Sequence, residues 1–237
     1  MSLIEIDRVT KRYGRFEAVH KVDLGIDEGE SVGLFGPNGA GKTSLLRMVA
    51  TLSVPTDGSV YIDGEEVRGD KPEIRSRLGV VSHDSMLYDG FTARENLRLH
   101  ARLHGVDPSE VRRRLKDVGL SSRGGDVVSG FSHGMRKRLS LARALLHNPE
   151  ILLLDEPYAG LDQRSSETLR GILDDFTDRT VVMTTHSLEE GYNHCDRLVF
   201  LDQGRVKRDV DRSEFDSLDE LESIYHSSVG IQKGGLE

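Results

Sequence analysis

Apolar and polar residues alternate near the start of the chain. The segment LIEIDRV, Leu3 to Val9, has this pattern, and a similar segment runs near Val22 to Ile26 before the acidic turn DEGE. Alternation with a period of two is typical of half-buried strands, so we predict an antiparallel pair. Further on, Asp63-Gly64 within GSVYIDGEEV predicts a tight hairpin between two short strands.

Continuous apolar runs form a second pattern. They are SVGLF, RLGVV, ILLLD, TVVMTT and RLVFLD. Runs without alternation suit strands that are covered on both faces of a sheet. The first run leads into a glycine-rich loop, after which TSLLRMVATL has helical spacing, so the order predicted there is strand, loop, helix.

The middle third of the chain predicts three helices. The first begins with a capping box, Thr92 three residues before Glu95, and ends near Gly105. The other two have their own start and stop residues, which are Asp107 and Gly119, then Ser132 and Asn148-Pro149. These helices predict an α-helical lobe, residues 84–147, inserted into an α/β core formed by residues 1–83 and 148–225.

The C-terminal segment DRSEFDSLDELESIYH, from Asp211, has an amphipathic pattern and predicts one helix. Residues 226–237 are rich in Ser and Gly and predict a mobile tail. Together with the core and the lobe, this organisation makes one domain of residues 1–237.

Composition narrows the class of protein. The 237 residues are 36% hydrophobic and 30% charged, which is typical of a soluble globular chain. We find no apolar run of membrane-spanning length and no signal peptide, so we expect a cytoplasmic protein. A single cysteine, Cys195, excludes an internal disulfide and a cysteine-based metal cluster, and a net charge of -8 disfavours a broad nucleic-acid surface.

The glycine-rich loop matches the phosphate-loop pattern. Its candidate ligand-binding residues are Gly36, Pro37, Asn38, Gly39, Ala40, Gly41, Lys42, Thr43 and Ser44. A strand enters and a helix leaves, so backbone N–H groups gather at the positive end of a helix dipole and bind phosphate. Lys42 is expected to reach the β- and γ-phosphates, and the Thr43 hydroxyl to ligate Mg²⁺. The alternative is an ordinary glycine-rich turn.

The run ILLLDEP supplies two acidic candidates. Asp155, at the end of a buried strand, is a candidate ligand for Mg²⁺. Glu156 is a candidate general base that accepts a proton from the attacking water. Taken alone, the same run is also compatible with a buried strand that has an acidic end.

The motifs GPNGAGKT, LLLDEP, AGLD and MTTH, in this order and separation, resemble the nucleotide-binding subunit of an ABC transporter. The resemblance covers roughly residues 2–225. It implies a P-loop NTPase core of α/β class with an antiparallel β subdomain and an inserted α-helical subdomain. It also implies an ATPase that uses ATP and Mg²⁺, dimerises around two ATP molecules, and powers a separate integral membrane permease from the inner face of the cell membrane.

The resemblance assigns further site residues. Ser132, His133 and Gly134 belong to the signature sequence, which binds the γ-phosphate held by the phosphate loop of a second subunit. The others are Tyr13 for adenine stacking, Asp162 for contact across the dimer interface and His186 for the γ-phosphate and the attacking water. For each, a structural role stays open: a capped helix, a core tyrosine, a helix-capping aspartate and a structural histidine.

Two departures from the family pattern stand out. His83 occupies the place of a glutamine that usually contacts the metal and water, so we count His83 as a candidate metal ligand. An imidazole does not reproduce a carboxamide, and a structural role for His83 stays open. The signature has Phe131, His133 and Met135 where leucine, glycine and glutamine are commoner. The basic run 136–138 after it predicts a solvated helix face, with attraction of phosphate as the alternative.

The wider function follows from the resemblance. It favours a homodimer, an export system that includes haem exporters among its relatives, and no direct contact with nucleic acid. We expect the permease to dock around residues 84–97, where Met86, Leu87, Tyr88 and Phe91 are apolar, unless these residues form the core of the lobe. The alternatives are a soluble ABC ATPase acting on nucleic acid or ribosomes, and a nucleotide-binding module that does not hydrolyse.

Overall fold

The computed structural model describes residues 2–69, 71–82, 84–174 and 179–229. The strands are β1 (Ile4–Tyr13), β2 (Phe16–Ile26), β3 (Ser31–Phe35), β4 (Asp57–Ile62), β5 (Glu65–Glu66), β6 (Leu78–Val81), β7 (Ile151–Asp155), β8 (Thr180–Thr185), β9 (Arg197–Asp202) and β10 (Arg205–Asp211). The α-helices are α1 (Lys42–Val49), α2 (Pro72–Arg77), α3 (Ala93–Leu103), α4 (Pro108–Asp117), α5 (His133–Ala144), α6 (Gln163–Asp174), α7 (Leu188–His194) and α8 (Leu218–Ser228). Short 3₁₀ turns lie at Ser121–Arg123, Val128–Gly130 and Arg212–Glu214.

The chain divides into two compact units. One contains the described residues of Met1–Lys71 and Thr180–Glu237, and the other is Pro72–Arg179. We call them the loop unit, which carries the glycine-rich loop, and the signature unit, which carries Ser132. The α/β class predicted from the sequence is confirmed, and so is the antiparallel sheet.

The antiparallel sheet of the loop unit has the strand order β2-β1-β4-β5. Ile4 pairs with Ile26 of β2 and with Ile62 of β4, and the side chains of all three are buried. The predicted hairpin is present, because Asp63 and Gly64 have φ angles of +53° and +73° between β4 and β5. Alternation along β1 therefore produces the half-buried strand pair that the sequence predicts.

The loop unit also contributes four strands to a second sheet, and their order is β10-β9-β3-β8. β3 runs parallel to β8 and to β9, whereas β10 is antiparallel to β9. Four of the five residues of β3 are buried, and Tyr225 of α8 packs edge-on against Phe35 with ring centroids 4.8 Å apart. The register pairs Phe35 with Thr185, so the segments that follow β3 and β8 leave from the same edge of the sheet.

The signature unit joins the parallel pair β6–β7 to helices α3, α4 and α5. Three predicted helix starts are confirmed by hydrogen bonds. Thr92 forms a full capping box with Glu95, Asp107 accepts the Ser109 amide, and Ser132 accepts the Met135 amide. The helices enclose a core of buried residues that includes Ala93, Leu97, Ala101, Val111, Leu115, Val118, Leu120, Val128, Phe131, Leu139, Ala142 and Leu146.

The C-terminal prediction is partly wrong. The helix predicted from Asp211 begins at Leu218, because the preceding residues complete β10 and a 3₁₀ turn. Only Asp211 of the predicted helix lies in β10, where it pairs with Arg197 of β9. Asp211 then caps the 3₁₀ turn, and Ser217 starts a new helix by accepting the Glu220 amide. α8 extends to Ser228, which lies inside the predicted tail, whereas residues 230–237 lie outside the described residues.

Cys195 is buried in the loop unit, where its side chain is 5% exposed. Burial raises the pKa of the thiol to about 12, because a thiolate would lose its hydration there. The side chain therefore behaves as a small apolar group.

In the described part of the chain, no helix is both long and apolar enough to cross a membrane.

Three histidines cluster in the signature unit. The rings of His104 and His147 stack with centroids 4.1 Å apart, and His147 Nε2 lies 3.0 Å from the Leu78 carbonyl oxygen. Burial lowers the pKa of His100 and of His147 to about 4 each, and the nearby guanidinium of Arg143 acts in the same direction. The pKa of His104 is also lowered, by burial and by Arg143.

These histidines predict a pH-dependent stability. Their folded pKa values lie below the ordinary value of 6.5, so the unfolded chain binds protons first as the pH falls. The stabilisation is complete above about pH 6.5 and is lost as the pH falls toward 4. We expect His100→Leu to reduce the drop in melting temperature between pH 7 and pH 5, measured by circular dichroism. An unchanged drop in this variant would contradict the assignment.

Candidate functional site

The glycine-rich loop packs against neighbouring backbone. A Cβ atom on Gly36 would lie 2.1 Å from the Leu201 carbonyl oxygen, and one on Gly41 would lie 2.4 Å from the Ala18 carbonyl oxygen. Gly39 and Gly41 have φ angles of +84° and +102°, which other residues rarely adopt. The glycines are therefore required by the space and by the backbone, as the phosphate-loop pattern predicts.

The loop ends at the start of α1. Its N-cap is Gly41, which offers no side chain to accept the first helical amides. Lys42 is 5% exposed, and its ammonium donates to the carbonyl oxygens of Gly36 and Pro37 at 2.6 and 3.2 Å. The Lys42 side chain thus lies along the loop. Uncapped amides at the positive end of a helix, together with this ammonium, fit a phosphate group.

His186 lies at the same sheet edge as the loop. It follows Thr185, which pairs with Phe35, and the loop begins at the next residue, Gly36. The His186 side chain is exposed. The Thr185 hydroxyl donates to Glu190 at 2.6 Å and accepts the Ser187 amide at 3.0 Å, which fixes the turn beyond His186. The sequence prediction that His186 and the phosphate loop serve one site is compatible with this register.

Tyr13 is not a core residue. It lies at the end of β1, pairs with Phe16 across a hairpin, and is 50% exposed. The Lys11 ammonium is 5.1 Å from the centre of the Tyr13 ring and donates to the Val54 carbonyl at 2.7 Å. The structural alternative of a buried tyrosine is therefore excluded, and the ring is available for stacking.

Asp155 is the last residue of β7 in the signature unit, and Glu156 follows it. Asp155 is 3% exposed, and Glu156 has a φ of +47°, in the left-handed region. Such a backbone costs on the order of 1–3 kcal/mol in a residue other than glycine, and it persists where its surroundings hold it. The Glu156 carbonyl accepts the Lys137 ammonium at 2.5 Å and the Ala159 amide at 3.3 Å.

The signature sequence forms the start of α5. Ser132 is the N-cap, and its hydroxyl accepts the Met135 amide at 3.3 Å. A Cβ on Gly134 would lie 3.0 Å from Ser165 Oγ, and one on Gly160 would lie 3.3 Å from His133 Cδ2. The signature therefore packs against the segment that follows β7. The capped helix, which is the structural alternative, is present, and Ser132 is exposed; binding of the γ-phosphate by Ser132 stays a prediction.

The departures in the signature differ in their surroundings. Phe131 is 8% exposed and belongs to the helical core, like the leucine that is commoner there. Met135 is partly buried against the same core, which a glutamine would reach less favourably. His133 is exposed, with its ring edge close to Gly160.

Asp162 caps the next helix. Its carboxylate accepts the Ser165 amide at 2.8 Å at the start of α6, and its side chain is exposed. This hydrogen bond is the structural alternative that the sequence left open. Contact across a dimer interface stays a prediction for Asp162. The prediction for His83 falls on a residue outside the described part of the chain.

The basic run after the signature is not a solvated face. Arg136 donates to the Asp89 carboxylate, Lys137 to the Glu156 carbonyl, and Arg138 to the Val118 carbonyl at 3.0 Å. The expected solvated helix face is wrong, because these donors are engaged within the signature unit. The contacts of Lys137 and Lys11 were not predicted, since their partners are 19 and 43 positions away in the sequence.

Comparison with known proteins identifies the family. The family described as ABC transporter matches residues 19–159. The chain belongs to the ABC transporter family. Over 213 residues it is 38% identical to the ABC transporter ATP-binding protein NatA of Bacillus subtilis, covering 87% of this chain and 85% of the relative. Over 212 residues it is 37% identical to the Nod factor export ATP-binding protein I of Cupriavidus pinatubonensis, covering 86% and 65%.

Solved ABC structures have the same fold. A dimeric ATP-binding cassette in a post-hydrolysis state with ADP and phosphate is 30% identical with a TM-score of 0.82, covering 90% of this chain and all of that one. A bacterial Atm1-family ABC exporter with ATP bound is 26% identical with a TM-score of 0.81, covering 99% of this chain and 42% of that one. The predicted family and fold are confirmed, and this ABC protein is an ATP-binding subunit and an ATPase.

The packed glycine gives a test of the loop. Gly41→Ala adds a Cβ 2.4 Å from a carbonyl oxygen at φ +102°, so we expect the free energy of unfolding to fall by more than about 2 kcal/mol and ATP binding to be lost. Gly29→Ala is the control, because Gly29 has φ +78° with no atom within 4 Å and pays only the backbone strain, about 1 kcal/mol. Urea unfolding and binding of a fluorescent ATP analogue measure both. Equal behaviour of the two variants would refute the packing argument.

Proposed function

We propose that this ABC subunit pairs with a second copy of itself around two ATP molecules and drives an export permease. The observation that carries the proposal is that one chain holds two helix starts suited to phosphate. α1 begins at a glycine with Lys42 beside it, and α5 begins at the exposed Ser132. A solved relative of this fold is dimeric with ADP and phosphate, which supports a dimer for this chain.

The oxygen donors fit Mg²⁺, which prefers carboxylate and hydroxyl ligands. Thr43 carries its hydroxyl in the first turn of α1, and the carboxylate of Asp155 is buried at the end of β7. A buried carboxylate is stabilised by a cation, so we propose these two residues as metal ligands, with His83 as a third. The metal would neutralise charge on the β- and γ-phosphates when bound.

The residues of the chain then divide the work of hydrolysis. Lys42 and the loop amides hold the β- and γ-phosphates, and Tyr13 stacks on the adenine. Glu156 accepts a proton from the water that attacks the γ-phosphorus, and the bond between the γ-phosphorus and the ADP oxygen breaks. His186 orients that water. Ser132, with His133 and Gly134, holds the γ-phosphate bound to the partner subunit, and Asp162 contacts the partner.

The permease would dock on an exposed apolar patch of the signature unit. Met86, Tyr88 and Phe91 are 38%, 54% and 42% exposed, and the rings of Tyr88 and Phe91 stack at 5.3 Å. Leu87 belongs instead with the helical core. This exposure supports docking at residues 84–97 over the alternative that the whole segment is core. A subunit docked on the permease in this way would lie on the inner face of the membrane. The proposal also includes the domain organisation predicted from the sequence, in which a helical lobe at 84–147 is inserted into a core at 1–83 and 148–225.

The names of the relatives favour export. They include the Nod factor export proteins and the linearmycin resistance protein LnrL of Bacillus subtilis, which is 33% identical over 212 residues. We therefore propose an exported small molecule, and haem stays one predicted cargo. These relatives do not favour action on nucleic acid or ribosomes, and membership of an ATPase family disfavours the non-hydrolysing module.

Glu156→Gln tests the catalytic assignment. Removal of the general base is expected to lower phosphate release at least about 100-fold while ATP still binds. Dimers should then accumulate with Mg-ATP, which size-exclusion chromatography with light scattering detects. Glu167→Gln, on α6, is the control and should hydrolyse normally. A Glu156→Gln protein that hydrolyses at the normal rate, or stays monomeric with Mg-ATP and the permease, would refute the proposal.

Tyr13→Ala tests adenine stacking. Loss of one stacked base is worth about 1–3 kcal/mol, so the dissociation constant for ATP should rise about tenfold or more. The affinity for tripolyphosphate, which has no base, should not change. Tyr88→Ala is the matched control, because it removes a similarly exposed tyrosine outside the nucleotide site. This control should hydrolyse ATP at the normal basal rate, and only its stimulation by the permease should fall. Equal loss of ATP and tripolyphosphate binding in Tyr13→Ala would contradict stacking.

A further inference from the structure

A cationic hydrogen bond ties the segment after β7 to the signature helix. Lys137 lies in the second turn of α5, and its ammonium donates to the Glu156 carbonyl oxygen at 2.5 Å. The Ala159 amide donates to the same oxygen at 3.3 Å and closes a turn there. The residue that carries this carbonyl has a φ of +47°. The most strained backbone position of the candidate catalytic segment is therefore the one that Lys137 contacts.

We propose that Lys137 is a positioning residue for the Glu156 carboxylate. The inference rests on the proposed role of Glu156 as general base and adds the group that aims it. The direction of a side chain follows from the backbone dihedrals of its own residue. A left-handed backbone directs the Glu156 side chain differently from a right-handed or extended one. The group that holds this backbone thus sets where the carboxylate points.

A charged donor suits this task. A left-handed residue other than glycine returns to a common conformation unless its surroundings hold it. Hydrogen bonds from an ionised donor are shorter and stronger than bonds between neutral groups. The Lys137 stem also lines a small, largely apolar cavity with Leu154, Pro157 and Leu161, which restricts where the ammonium can go.

The helix that carries Lys137 is itself fixed. Leu139 and Leu141 of α5 are buried, and Arg143 donates to the Val80 carbonyl oxygen of β6 at 2.6 Å. At the other end of the helix, a Cβ on Gly134 would lie 3.0 Å from Ser165 Oγ. The start of α5 is therefore in contact with the chain that follows Glu156.

Lys137→Met tests the role, since it keeps an apolar stem and removes the ammonium. We expect the kcat of ATP hydrolysis to fall about tenfold or more, with the KM for ATP within about twofold of the wild type. Lys137→Arg keeps a cationic donor and should recover most of the rate. Lys116→Met, on the exposed face of α4, is the matched control and should behave as the wild type. Melting temperatures of all variants separate a local effect from unfolding.

A double variant identifies the residue through which Lys137 acts. In a Glu156→Gln background, adding Lys137→Met should not lower the single-turnover rate further, because the carboxylate is already absent. An equal loss in both backgrounds, a normal kcat for Lys137→Met, or a change in KM alone would overturn the inference. If Lys137→Met does not fold, Lys137→Gln carries the same comparison.

Different results would overturn the proposed function and the role of Lys137. Normal hydrolysis by Glu156→Gln would show that Glu156 is not the general base, and a residue that positions Glu156 would then have no catalytic role. A large loss in Glu156→Gln beside a normal rate in Lys137→Met would overturn only the role of the lysine.

Discussion

The loop unit depends on a close approach between backbones that leaves no room for side chains. The Leu201 and Ala18 carbonyl oxygens occupy the positions that Cβ atoms on Gly36 and Gly41 would need. The amides of Gly204 and His20 continue the contact, with bonds of 3.0 Å to the Ala40 oxygen and 2.8 Å to the Gly204 oxygen. The loop is thus held from two sides by β2 and by the turn between β9 and β10, before any ligand binds. Because this set of amides is already ordered, phosphate binding does not carry the entropic cost of ordering it.

In the signature unit, helix α5 holds the candidate functional groups in place. Its N-terminal turn presents Ser132, its second turn carries Lys137, and its buried face joins the helical core. Arg143 near its other end is buried and bonded to β6. One helix therefore connects the candidate γ-phosphate site at Ser132, the backbone of the candidate general base and the parallel strand pair. Rigid elements that carry several functional groups keep the distances between those groups constant.

Much of the fold was predictable because its signals are local. The capping box of Thr92 and Glu95, the cap at Asp107 and the Asp63-Gly64 turn each depend on residues within a few positions. Helices α2, α6 and α7 and strand β10 were not predicted. β10 shows why: its residues RVKRDVD carry few apolar side chains, and its partner strand decides its conformation.

In the candidate site, too, the features with local sequence signals were predicted and the contacts between distant residues were not. The phosphate loop and Asp155 follow from motifs whose spacing is fixed by chemistry, and the exposure of Tyr13 agrees with the role that the resemblance implied. The contact of Lys137 with the Glu156 carbonyl has no signature in the sequence, because any backbone carbonyl is an equivalent acceptor. Residue type alone also suggested a solvated face for residues 136–138. Only the packing of α5 reveals that these side chains have internal acceptors.

The buried thiol at position 195 has a practical consequence for spectroscopy. The chain contains one cysteine, and that thiol is both enclosed and hard to ionise, so maleimide and methanethiosulfonate reagents should react with it slowly. A second cysteine introduced at an exposed position would then be the main attachment point for a spin label or fluorophore. Distances between two subunits can thus be followed by pulsed electron resonance or energy transfer in a protein that keeps all of its native side chains but one.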